Sequence, residues 1–107
     1  MIFELREYRI KTGMRPSWVK LMDEMIIPFQ QKMGMSIIGS FTAIEENDLY
    51  IWIRGFNSED ERLKLYDKVY GSDYWKKDVR NAMGDMLIKS EMKVTLMAST
   101  PESVLKY

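Results

Sequence analysis

The sequence predicts an α+β sandwich of order β-α-β-β-α(α)-β, in which one four-stranded antiparallel sheet carries its helices on one face. Three observations predict it. Alternating apolar positions mark strands at 2–10, 35–44, 49–56 and 88–97. Apolar positions three and four apart mark helices between the first and second strands and between the third and fourth. The 107 residues are enough for one such domain and too few for two.

Each element has its own warrant. From Ile2 to Ile10, Phe3 and Leu5 alternate with Glu4, Arg6 and Tyr8, and Lys11-Thr12-Gly13 forms the turn that stops the strand. From Arg15 to Met33 the apolar residues Trp18, Leu21, Met22, Met25, Ile26, Phe29 and Met33 form one helical stripe. Pro16 suits the first turn, Gly34 suits a left-handed stop, and Pro28 predicts a kink in the last turn. Met35–Ile44 and Leu49–Phe56 read as a hairpin around Glu45-Glu46-Asn47-Asp48. Ser58 and Glu61 form a capping box, followed by Leu63, Tyr66, Val69 and Tyr70 at helical spacing. After Gly71-Ser72-Asp73 a further helix carries Trp75, Val79, Met83 and Met86, and Ile88–Met97 alternates again. The domain is therefore set at 1–97 and a loose tail, holding Pro101, at 98–107.

Helices on one face of a sheet imply that the more apolar strand positions face them. That places Phe3, Leu5, Leu49, Ile51 and Ile53 under the helices, and leaves Glu4, Arg6, Tyr8, Tyr50, Trp52 and Arg54 on the open face. An open face bearing tryptophan and tyrosine needs a cover, and a second copy of the chain is the simplest one. A homodimer through the sheet face follows as the expectation.

Composition removes whole classes of function. With neither cysteine nor histidine there is no thiolate nucleophile, no imidazole base and no imidazole metal ligand. Sixteen basic residues oppose sixteen acidic ones, and the balance holds in each half, seven against seven through Arg54 and nine against nine after it. No basic stripe is present to neutralise phosphates, so nucleic acid is not an expected partner. No apolar run reaches the ~20 residues of a membrane span, and the charged start MIFELREYRI is unlike a signal peptide. The expectation is a cytoplasmic protein.

Several stretches together resemble the NIPSNAP family. They are Phe3-Glu4-Leu5-Arg6-Glu7-Tyr8-Arg9-Ile10 with Lys11-Thr12-Gly13, Ile27-Pro28 late in the first helix, Ile51-Trp52-Ile53-Arg54-Gly55-Phe56 with Ser58 to Arg62, and Tyr70 and Trp75 around a short polar break. The resemblance runs over about residues 2 to 97. It implies a dimeric α+β barrel, two ferredoxin-like domains with their sheets face to face, and it supplies no substrate. Barrels of similar architecture include cofactor-free monooxygenases and isomerases.

The candidate ligand-binding residues are Arg6, Tyr8, Trp52 and Arg54, which leave adjacent strands on one side. Two guanidiniums suit a carboxylate or phosphate, and the rings suit a planar body. The competing reading pairs Arg6 and Arg54 with Glu4 or Glu91 inside a filled barrel. Trp18 and Trp75 read as core. Glu45, Glu46 and Asp48 are oxygen ligands without the spacing of a calcium loop, and read as a solvated hairpin tip, so no metal is assigned. The ten methionines mostly occupy apolar positions and read as core filler. Ser36, Ser40 and Thr42 lack a histidine to activate them, and Lys89 or Lys93 is the remaining candidate base. The glycines at 13, 34, 39, 55, 71 and 84 are too scattered for a phosphate loop, so no nucleotide, flavin or haem cofactor is expected. Two functions remain open. One is a homodimer that binds, and on the enzymatic reading transforms, a small anionic or aromatic molecule in the cavity between the two sheets. The other is a non-enzymatic dimeric module whose barrel is filled and whose outer surface binds a protein.

Overall fold

The computed structural model describes residues 1–106. Strands β1 (Ile2–Arg9), β2 (Ser36–Thr42), β3 (Leu49–Phe56) and β4 (Lys93–Met97) form one antiparallel sheet of order β2-β3-β1-β4, the ferredoxin-like arrangement. Between β1 and β2 run α1 (Arg15–Leu21), a π-helical segment (Met22–Ile26) and α2 (Ile27–Lys32). Between β3 and β4 run α3 (Glu59–Tyr70), a second π-helical segment (Tyr74–Val79), α4 (Arg80–Met83) and a 3₁₀ turn (Lys89–Glu91).

The local signals account for most boundaries. Pro16 lies in the first turn of α1, and Gly34 follows α2 at φ +108°. Ser58 Oγ accepts from the Glu61 N–H at 3.1 Å, and the Glu61 carboxylate accepts from Asn57 in return, so the capping box closes one residue further out than the motif implies. Pro28 acts upstream of its expected kink. Its ring would clash with the carbonyl four residues back, at Glu24, and the helix widens there: the Ile27 N–H reaches the Met22 carbonyl, five residues back. The fourth strand is shorter than the alternation from Ile88 suggests, because Lys89–Glu91 coils before the strand begins.

The two faces of the sheet are the reverse of the sequence expectation. Tyr8, Tyr50 and Trp52 pack with Trp18, Leu21, Met22, Ile26, Val79 and Met86 in the main core. Glu4 and Arg54 are fully buried with them. Phe3, Leu5, Leu49, Ile51 and Ile53 take no part in either core cluster and lie on the far face, where Phe3 and Ile53 meet the segment 97–105. Apolarity alone misled the assignment. The helices bring Trp18, Gln30, Tyr66 and Tyr70, whose rings and polar ends match an aromatic, ionic sheet face better than an aliphatic one. The same reversal removes Tyr8, Tyr50 and Trp52 from any dimer contact, and it moves the candidate cavity from between two sheets to inside one chain.

Candidate functional site

Strand parity sends Glu4, Arg6 and Tyr8 of β1 and Tyr50, Trp52 and Arg54 of β3 toward the helices. The antiparallel register sets Glu4 opposite Arg54, Arg6 opposite Trp52, and Tyr8 opposite Tyr50. Four of these six residues were the sequence's ligand candidates, and the structure brings all four together. They do not share one role.

Arg54 is structural. Its Nε and Nη2 donate to Glu4 Oε1 at 2.9 and 2.6 Å, its Nη1 donates to Gln30 Oε1 and to the Tyr70 hydroxyl at 2.8 Å, and its Nη2 also donates to the Tyr66 hydroxyl at 2.8 Å. Its guanidinium carbon lies 4.7 Å from the Trp52 ring centroid. A buried guanidinium needs such a set of acceptors, and Arg54 has them from its own chain. Of the partners weighed for it, Glu4 is the one present. Glu91 instead lines a separate site with Glu7, Arg9, Leu49 and Lys93.

Glu4 is the hub. Tyr66 donates to it, and Arg6 Nη1 and Arg62 Nη1 lie 3.4 and 3.6 Å from its oxygens. Burial pushes its carboxyl up, but the Arg54 charge, the hydrogen bonds from Tyr66 and Arg54, and the Arg6 charge outweigh that and hold it below the usual carboxylate range. Burial pulls Arg54 and Arg6 down. The phenols around them and Glu4 more than offset this, and both stay cationic.

Of the arginines around Glu4, Arg6 is the one that lines a cavity. Its Nε donates to the Tyr8 hydroxyl at 2.7 Å and its Nη1 to the Tyr66 hydroxyl at 2.7 Å, while its Nη2 meets only the Met92 sulfur at 3.2 Å. A thioether is a weak acceptor, so this arm of the fork is poorly satisfied. Burial pushes the Tyr8 phenol up against the opposing pull of Arg6, and Tyr8 stays a neutral hydroxyl.

Beside Arg6 lies a cavity of about 310 Å³ between the sheet and the helices. Tyr8, Trp52, Trp18, Trp75, Tyr66 and Tyr70 supply its aromatic walls, and Met22, Ile26, Met83 and Met92 its aliphatic ones. Arg6, Arg80 and Lys89 line it, and no aspartate or glutamate does. Both π-helical segments contribute to the wall, through Met22 and Ile26 on one side and Trp75 on the other. Such segments recur at binding sites because they redirect side chains without ending a helix.

The remaining candidates fall elsewhere. Ser36, Ser40 and Thr42 do not line the cavity, and Ser40 Oγ bonds the Tyr50 hydroxyl at 2.5 Å. Of the two candidate lysines, Lys89 lines the cavity and Lys93 lines the separate site with Glu91. Glu46 and Asp48 of the hairpin tip pair with Arg9, and the described residues hold no cluster of three acidic groups able to bind a metal. Sequence reasoning missed Tyr66, Tyr70, Met92, Arg80 and the cavity-facing side of Trp18 and Trp75. Tyr66 and Tyr70 are four residues apart, and two hydroxyl-bearing rings on one buried stripe are the available signal that this stripe meets charges.

The fold and this site define a ferredoxin-like α+β domain with an internal aromatic cavity carrying an arginine. The NIPSNAP family model matches residues 3–103, and the chain belongs to the NIPSNAP family. Solved structures agree. A NIPSNAP family protein of unknown function from Agrobacterium tumefaciens superposes with a TM-score of 0.88 at 22% identity, over 99% of this chain and 94% of that one. A second NIPSNAP family protein from the same organism gives 0.86 at 24% identity, over 98% of each chain. An uncharacterised NIPSNAP-like domain protein from Burkholderia xenovorans gives 0.85 at 18% identity, over 95% of this chain and 87% of that one. No curated protein matches the chain. No helix among the described residues is long and apolar enough to cross a membrane.

Proposed function

We propose that this protein binds a small aromatic or apolar anion in the cavity between its sheet and helices, with the anionic group on Arg6 and the body between Tyr8, Trp52 and the helix-borne rings. A count of charges carries the reading. The connected network holds three largely buried guanidiniums, Arg6, Arg54 and Arg62, against one buried carboxylate, Glu4, and a half-exposed one, Glu59. The network carries one more positive charge than negative, and Arg6, which shares Glu4 with Arg54 and Arg62, is the member that lines the cavity. A partly desolvated guanidinium with an arm on a thioether gains most from a ligand carboxylate or phosphate. The three cavity tryptophans report occupancy directly: titration with aromatic carboxylates should change their fluorescence, and Arg6→Met should weaken binding more than tenfold, since a buried charge-assisted pair is worth about 2–5 kcal/mol. Equal binding by wild type and Arg6→Met, or none by either across a library of such acids, would favour the protein-interaction reading.

A homodimer through the sheet remains part of the proposal, but through the other face. Leu5, Ile51 and Phe41 share the side away from the helices, beside the part of it that the segment 97–105 meets at Phe3 and Ile53, and Phe41 is half exposed. Its ring folds over Gly39, where a Cβ would come within 2.5 Å of it. Around this apolar centre stand charges of both signs, with Glu7 opposite Lys93 and Arg9 beside Glu46 and Asp48. Such a patch is suited to a second copy of itself across a two-fold axis.

A further inference from the structure

The cavity has two further cations at its solvent-exposed wall. Arg80 and Lys89 line it along with Arg6, and both are exposed where Arg6 is largely buried. Lys89 opens the 3₁₀ turn that leads to Met92: the Met92 N–H returns to the Lys89 carbonyl at 3.3 Å, and the Met92 sulfur touches Arg6. Arg80 opens α4, three residues before Met83, which also lines the cavity. The cavity wall thus holds Met83 and Met92 together with one largely buried cation, Arg6, and two exposed ones, Arg80 and Lys89. Neither Arg80 nor Lys89 has an ion pair or side-chain hydrogen bond among the described residues. In a chain of zero net charge, three cations around one cavity with no acid in its wall is a local surplus.

We infer that the ligand class is a dianion: an aromatic or apolar body bearing two acidic groups at opposite ends, the inner on Arg6 and the outer between Arg80 and Lys89. This rests on the cavity reading above and adds the second charge to it. The two ends differ in strength. The inner pair is desolvated and sets most of the affinity, while each exposed outer pair adds about threefold, together about tenfold, and weakens as salt screens it.

The test compares matched acids by titration calorimetry: benzoate with benzene-1,4-dicarboxylate, and naphthalene-2-carboxylate with naphthalene-2,6-dicarboxylate. In wild type at low salt the better-fitting dicarboxylate should bind about tenfold more tightly than its monoacid. In an Arg80→Gln/Lys89→Gln variant, with far-ultraviolet circular dichroism confirming its fold, the ratio of dicarboxylate to monoacid affinity should fall to about one. Arg6→Met should weaken both acids alike. Equal affinity of mono- and dicarboxylates for wild type, or an advantage that survives in the double variant, would overturn the dianion and leave the cavity reading standing. Binding of neither acid by wild type would overturn both.

Discussion

Replacing Glu4 by glutamine keeps the shape of the buried hub and removes its charge. Arg54 then keeps its contacts to Gln30, Tyr66 and Tyr70 but loses its counter-ion, at a position with no solvent exposure. The new amide N–H₂ also has to face Arg62 or Tyr66, where a carboxylate oxygen accepted before. Leaving one member of a buried pair uncompensated costs about 3–5 kcal/mol. Against the 5–15 kcal/mol typical of a whole domain, this is a large share. At roughly 4–8 °C per kcal/mol for a domain near this size, even the lower figure lowers Tm by about 12–24 °C. Urea denaturation followed by circular dichroism measures the loss directly. A Glu4→Leu/Arg54→Met double variant should cost less than its two single variants summed, because it removes both charges together. A loss under about 1 kcal/mol in Glu4→Gln, with additive singles, would refute the hub.

Three further outcomes follow from the same geometry. Because Glu4 titrates below the ordinary carboxylate value in the folded chain, the unfolded chain binds the proton first, so its stabilisation is full at neutral pH and is lost as pH falls through and below the usual carboxylate range near ~4; the stability gap between wild type and Glu4→Gln should narrow from pH 7 to pH 3, and a constant gap would contradict this. Trp18 is buried edge-on to Tyr8 and Tyr50, with centroids 5.8 and 6.2 Å away, so Trp18→Ala should cost about 3–5 kcal/mol in the same denaturation experiment. Ile51→Lys puts a charge beside the half-exposed Phe41 on the open sheet face and should shift sedimentation from dimer to monomer without unfolding the chain; an unchanged dimer would place the contact elsewhere.

How much of this was legible in the sequence depends on the kind of signal. The element order, the limits of β3, the cap at Ser58 and the stop at Gly34 are local, and local chemistry dictates them. The choice of sheet face is not local. Leu5, Ile51 and Ile53 look like core, and Glu4 and Arg54 look like surface, until Tyr66, Tyr70 and Gln30 arrive from other elements to satisfy them. Arg6, Tyr8 and Trp52 nonetheless line one cavity, because strand parity keeps them together whichever way the sheet faces. Arg54 followed the paired alternative. Met92, Arg80 and Lys89 reach the cavity through the 3₁₀ turn and α4, irregular pieces with no periodic signature.

The most direct test of the account is a crystal structure of the protein soaked with naphthalene-2-carboxylate. The account predicts density inside the chain, between the sheet and the helices, with a carboxylate oxygen within hydrogen-bond distance of Arg6 Nη2, the Met92 sulfur displaced from that arm, and the rings against Trp52. Density confined to the open sheet face or to the surface, with Arg6 still on Met92, would contradict it.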